Sequence, residues 1–200
     1  FCALMTRVNG SFAAPSSGIQ LFTTNLEFLR AEGIEIGLRG GIDLQEKGRI
    51  NASFNSNFYL TNESQSTPTS DVIDCLGRFG TACDPTPEFR FIQRTTWSYG
   101  DLELSYLWRY LGEVELLDNE KAGVFDGFEN IDAFNYIDFS GAYDINDNVR
   151  LSASLSNAFN EDPPIIGNDT GQTDANSGNT FPSFYDTLGR VYAVGINVRF

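Results

Sequence analysis

Over residues 192–200 every second side chain is large and apolar: Tyr192, Val194, Ile196, Val198 and Phe200. Ala193, Gly195, Asn197 and Arg199 stand between them. A period of two, with one apolar face and one small or polar face, marks a β-strand. At the edge of a soluble sheet such a strand is a sticky liability. In a closed barrel that crosses a membrane its edge is paired and its apolar face meets lipid.

The alternation recurs upstream, so it characterises the chain and not one segment. Ile34, Ile36, Leu38, Gly40, Ile42 and Leu44 alternate with Glu35, Gly37, Arg39, Gly41 and Asp43. The same pattern predicts strands at about 50–60, 89–99, 102–111, 137–145 and 149–159. Trp97, Tyr99, Trp108 and Tyr110 fall near strand ends, as aromatic residues do at a lipid interface. Seven strands of about ten residues result, the length a tilted strand needs to span a bilayer. No run of about 18 apolar residues exists, which excludes a transmembrane helix.

Connections alternate strictly between short and long. Residues 45–48, 100–101 and 146–148 are tight turns, whereas 61–88, 112–133 and 160–187 are long and polar. Short turns on one side of a membrane and long loops on the other are the habit of transmembrane barrels. The fold class expected is therefore all-β, an antiparallel up-and-down transmembrane β-barrel, here a partial barrel of about seven strands. Residues 1–33 read as an outer loop or hairpin region, with Val8-Asn9-Gly10-Ser11 as a turn. Residues 34–200 carry the strands. Gly37, Gly40 and Gly41 ease bending or leave room for a neighbour.

The net charge of −14 sits in the long loops and argues against a nucleic-acid partner. No histidine is present, so no nucleophile–base pair can be assembled around one. No phosphate loop is present either, and the chain is read as neither an enzyme nor a cofactor protein. Three cysteines without histidine make a zinc site a poor expectation. Residues 168–179 are rich in oxygen ligands but lack a calcium-loop spacing, and read as a solvated loop with no metal.

Several stretches resemble the carboxyl-terminal part of TonB-dependent outer-membrane receptors. Asn157, Phe159, Pro163 and Pro164 fit that family's Asn-Leu-Phe-then-Pro-Pro pattern, and Tyr185, Asp186, Gly189 and Arg190 fit its Tyr-Asp-x-x-Gly-Arg pattern. Residues 33–36 and 87–90, with Trp97, resemble its strand openings. The resemblance implies the end of a 22-stranded barrel in the outer membrane of a Gram-negative bacterium. A plug domain absent from these residues would contact the TonB complex during uptake of a scarce small-molecule nutrient, such as a siderophore, vitamin or oligosaccharide. It also implies that Tyr192, Val194, Ile196, Val198 and Phe200 form the signal read by the barrel assembly machinery. Phe200→Ala is expected to lower assembly more than ligand affinity.

In that export setting Cys75 and Cys83 are expected to form a disulfide, with the partner of Cys2 lying upstream. Arg39, Arg94, Arg109 and Arg150 are expected to face the lumen and pair with plug carboxylates or with Glu35, Glu103 and Asp138. Two other readings stay open. One is a complete small barrel that uses residues 1–30 as an eighth strand. The other is a soluble β-sandwich that binds carbohydrate through the loop aromatics Phe181, Phe184 and Tyr185, which a receptor could also turn toward its ligand.

Overall fold

The computed structural model describes residues 5–7, 9, 12, 17–19, 28–167 and 179–199. Two-residue strands β1 (Met5–Thr6) and β2 (Gly18–Ile19) pair antiparallel and form a sheet of their own. The predicted turn at 8–11 lies largely outside the described residues. The long strands are β3 (Phe28–Asp43) and β4 (Arg49–Gln65). Between β4 and the next long strand come β5 (Ile73–Asp74), β6 (Arg78–Gly80) and β7 (Cys83–Thr86). Then follow β8 (Phe89–Tyr99), β9 (Leu102–Leu111), β10 (Val114–Leu116) and β11 (Asn130–Ile131). The last three are β12 (Phe134–Asn146), β13 (Val149–Ser156) and β14 (Val191–Val198).

Seven long strands lie side by side in the order β14-β13-β12-β9-β8-β4-β3, each antiparallel to its neighbours, with β5 added to β4. Consecutive long strands are always adjacent, so the topology is up-and-down. All three short turns therefore lie at one end of the sheet and all three long connections at the other. Among the described residues β3 and β14 do not pair with each other. The sheet is an open path among the described residues, and the described part of residues 1–27 adds no strand to it.

Two departures from the predicted boundaries have local causes. β3 begins at Phe28 and not near Ile34, and β4 runs on to Gln65, into what reads as loop. The alternation breaks there because the register shifts between Glu32 and Gly33: Glu32 faces Thr61 while Gly33 faces Tyr59. Leu60 is the extra residue of this bulge. Only glycine fits at the crossing, since a Cβ on Gly33 would sit 2.6 Å from the Phe58 carbonyl oxygen. At the other end of the chain β13 stops at Ser156, and Phe159 projects from a turn and not from the strand.

The long connections are not merely solvated loops. β6, β7, β10 and β11 form a four-stranded sheet in the order β11-β10-β6-β7, in which β10 runs parallel to β6. Its buried core joins Phe79, Val114, Leu116 and Ile131 to Ile166, Phe181 and Tyr185 of the third connection. Three connections thus fold together into a cap over the loop end of the large sheet. Its surface retains the acid: Arg78 pairs with Glu115 at 2.8 Å and Asp118 at 3.3 Å, and Lys121 pairs with Asp118 at 2.8 Å.

Candidate functional site

The register sorts the side chains of the large sheet into two faces. On one face Leu38, Phe54, Gln93, Trp108 and Ile137 form a row across five strands. Another row runs Tyr106, Phe139, Leu155, Tyr192. This face is apolar, and among the described residues it is left open: Leu38 is 61% exposed and Val194 76%. A soluble sandwich would bury such a face under a second sheet. Toward the loop end Phe58 stacks on Phe89 at 4.4 Å, and Phe91 meets Trp108 at 4.8 Å and Tyr110 at 5.2 Å. Toward the short turns Trp97 stacks on Tyr99 at 5.8 Å, and its indole N–H donates to the Lys47 carbonyl at 2.9 Å. Two aromatic bands thus bracket an aliphatic strip, and their polar atoms find partners at its rims.

The opposite face is polar. Rows such as Arg39, Ser53, Arg94, Leu107, Asp138 and Glu35, Asn57, Arg90 cross it. All four arginines named from the sequence project from this face, and Gly37 and Gly41 lie there too, whereas Gly40 is on the apolar side opposite Ala52. Their pairing differs. Arg150 meets Asp144 at 2.9 Å and Glu103 at 3.8 Å. Arg109 meets Asp138 at 3.1 Å and Asp186 at 2.5 Å. Among the described residues Arg39 and Arg94 have no carboxylate partner. Glu35 holds none of these arginines.

Arg109 latches the cap to the sheet. Its guanidinium donates from Nε to Asp138 Oδ2 at 3.1 Å, from Nη1 to Asp186 Oδ1 at 3.0 Å and from Nη2 to Asp186 Oδ2. It also lies 4.9 Å from the centre of the fully buried Tyr136 ring, whose hydroxyl accepts from the Asp186 amide. Asp138 Oδ1 accepts from the Asn157 amide at 2.8 Å, and Asn157 brackets Glu161 through both side-chain atoms at 2.9 Å. Asn157 adopts φ 48°, a conformation asparagine tolerates better than most residues. Asp186 and Asn157 were named in sequence motifs, but Tyr136 and the joint between them were not.

The Arg109 side chain is 28% exposed, that of Asp138 18% and that of Asp186 27%, so this ion triad is partly desolvated. Replacing Arg109 with methionine leaves two neighbouring carboxylates unpaired, at an expected cost of about 2 kcal/mol. Protease cleavage within 157–190 should then quicken by about tenfold or more. An unchanged cleavage rate would remove the latch from the account.

Cys75 and Cys83 are joined in a disulfide with their Cα atoms 5.5 Å apart, tying the segment that enters β6 to the first residue of β7. Cys2 lies outside the described residues, as do Phe200 and most of the 168–179 segment. Tyr192, Val194, Ile196 and Val198 all point from the apolar face of β14. The three loop aromatics belong to the cap. Phe181 and Tyr185 are buried in the cap core and the half-buried Phe184 packs against it, so all three help hold the cap together. Their polar sequence neighbours hid this, because the residues that bury them come from other connections.

Burial pushes the Tyr185 phenol above its ordinary value, with Tyr136 adding to the shift. A raised folded value means the contribution is intact below about pH 10 and is lost as pH rises beyond it. The cap should therefore loosen in strong base, read by the ultraviolet absorbance of phenolate, and Tyr185→Phe should delay the change. Identical alkaline transitions in the two proteins would count against it. Among the described residues no group of three or more histidine, cysteine, aspartate or glutamate side chains is placed to hold a metal ion. No helix of the described residues is long and apolar enough to cross a membrane.

No protein-family model matches the sequence, and no curated protein matches it. Three crystal structures of the ferric enterobactin receptor PfeA from Pseudomonas aeruginosa match the fold, each with a TM-score of 0.56. One is a single mutant at 20% identity, one a double mutant at 21%, and one a single mutant in complex with enterobactin at 20%. Each match covers 85% of this chain and 22% of the receptor, so the chain spans less than a quarter of the receptor's length. The likeness concerns the fold: this chain has the all-β, up-and-down architecture of outer-membrane barrel strands.

Proposed function

We propose that these residues form the closing part of the barrel wall of a TonB-dependent outer-membrane receptor that takes up a scarce small-molecule nutrient. The observation that carries the reading is the pair of opposed faces. A bare apolar face bracketed by aromatic bands suits lipid, and a polar face of arginine, asparagine and serine suits a water-filled or plugged interior. The cap lies at the loop end, where such receptors meet their ligand. Fold likeness to a ferric enterobactin receptor makes an iron chelate the first ligand class to try.

Among the described residues the sheet is an open path with two unpaired edges, which supports the same reading, since a barrel wall pairs such edges with further strands. On this reading Tyr192, Val194, Ile196 and Val198, with Phe200, present the assembly signal, and a plug from elsewhere in the polypeptide engages the TonB complex. The test is to express the complete polypeptide from its own gene in a Gram-negative host. It should fractionate with the outer membrane, need detergent for release, and migrate faster on a gel before heating than after. Its deletion from the parent strain should slow growth on a ferric chelate under iron limitation. Recovery in the soluble fraction without detergent overturns the barrel. Outer-membrane location with unimpaired growth on every chelate tried removes the iron assignment only.

A further inference from the structure

Three arginines gather on the polar face near the short turns, and among the described residues none of them forms an ion pair with a carboxylate. Arg39 and Arg94 flank Ser53 in one row across β3, β4 and β8. Two strand spacings put their Cα atoms about 10 Å apart, close enough for both guanidiniums to reach one anion between them. Arg49 joins them from further along β4. Its Nε donates to Asn51 Oδ1 at 3.1 Å, which leans the side chain along its own strand toward that row. Gly41 makes this possible: a Cβ there would sit 2.6 Å from Asn51 Oδ1 and 3.3 Å from Arg49 Nη2. The three arginines, Asn51, Ser53 and Thr96 line a recess of about 510 Å³.

Asp43, Glu103 and Glu35, the carboxylates nearest in the register, do not pair with these arginines. Asp43 faces Arg49 in the register, yet its Oδ1 accepts from the Gln45 amide at 2.8 Å. Glu103 turns to Arg150, and Glu35 lies a full four residues from Arg39 along β3 without pairing to it. Among the described residues the Arg94 side chain donates to the Ser105 hydroxyl alone, at 3.3 Å. In a chain of net charge −14, three neighbouring guanidiniums without an ion pair among the described residues are out of keeping with their surroundings.

We propose that the Arg39–Arg49–Arg94 recess is an oxyanion site, built to take carboxylate or phosphate groups presented to the barrel interior. Paired guanidiniums bind such groups through two parallel hydrogen bonds, and the Ser53 and Thr96 hydroxyls supply further donors. The oxyanion has two available sources: carboxylate side chains of a protein segment lodged in the lumen, or a free polycarboxylate or phosphate. The assignment rests on the reading of this face as the inside of a barrel.

The test is arginine modification by phenylglyoxal in the complete protein purified in detergent, followed residue by residue by mass spectrometry. Exposed Arg190 serves as the freely reacting reference. A resident carboxylate predicts that Arg39 and Arg94 react about tenfold more slowly than Arg190, and that about 1 M NaCl abolishes the difference. A free anion predicts reaction at the Arg190 rate, slowed about tenfold by millimolar citrate or inorganic phosphate at these residues and not at Arg190. In that case Arg39→Gln combined with Arg94→Gln removes citrate binding while gel migration stays that of the folded barrel. Reaction at the Arg190 rate with or without citrate and phosphate overturns the site, as does protection that survives high salt, which is steric cover. Outer-membrane fractionation of the same preparation separates this failure from failure of the barrel reading.

Discussion

Phe79→Ala should unfold the loop cap while leaving the seven-stranded sheet standing. The Phe79 ring is 0% exposed and meets Phe181 edge-on at a centroid distance of 6.1 Å. It is the residue through which the first connection packs against the second and the third. Removing it deletes the buried ring and leaves a cavity whose walls belong to three separate segments, which cannot collapse together. Such truncations cost about 3–5 kcal/mol. The cap has little to set against this. Its strands are two to four residues long, and its disulfide, closing a loop of about eight residues, contributes roughly 2.5 kcal/mol by the chain-entropy argument.

Limited proteolysis is the readout. Segments 112–133 and 157–190 should be cut together, because they share one core, while the sheet keeps its unheated gel mobility. Phe125→Ala serves as the control, since that ring is 85% exposed and should change nothing. Equal resistance of Phe79→Ala and the parent protein would mean that the cap is held by its backbone pairing and ion pairs instead of by this core.

What the sequence revealed follows the range over which each physical cause acts. The strands of the large sheet were readable because a period of two is a local signal, repeated over about ten residues at a time. Their order followed from the short turns. The bulge at Gly33 and Leu60 was unreadable by the same rule: a one-residue shift exchanges the two faces, so Phe28 to Glu32 looks like a broken pattern and not a strand. Val114-Glu115-Leu116 does alternate, but over three residues that distinguishes nothing.

The cap was lost for a different reason. Phe181 and Tyr185 sit among Asn, Gly, Pro and Ser, and what buries them is Phe79, Val114 and Leu116 from other connections. Arg109 and Asp186 are 77 positions apart and meet at 2.5 Å. No spacing rule reaches across that distance. The arginines show both cases at once. Alternation placed Arg39, Arg94, Arg109 and Arg150 on one face, but which of them lacked a carboxylate was a matter of where Asp43, Glu103 and Asp138 turned. Arg49 carries no signal of its own in the sequence, since only the register sets it across from Asp43 and only the fold turns Asp43 to the Gln45 amide.

The decisive substitution for the membrane reading is Leu38→Arg. Leu38 lies midway along the apolar face of β3, between Ile34 and Ile42, and opposite Phe54. At 61% exposed, it packs loosely enough that a long polar side chain would be accepted in water, with a change within about 0.5 kcal/mol. Against hydrocarbon the same change costs about 2–4 kcal/mol near the bilayer midplane. Asn55→Arg is the matched control. Its side chain is exposed on the polar face of β4, one residue from Phe54, and an arginine there joins the arginines already present. The expected result is an asymmetry: Leu38→Arg should reduce the amount of folded protein in the outer membrane severalfold or more, and Asn55→Arg should leave it near the parent level. Equal yields would mean that water, not lipid, covers the apolar face. The two rows of aromatic residues would then have to be explained by a protein partner instead of by a bilayer.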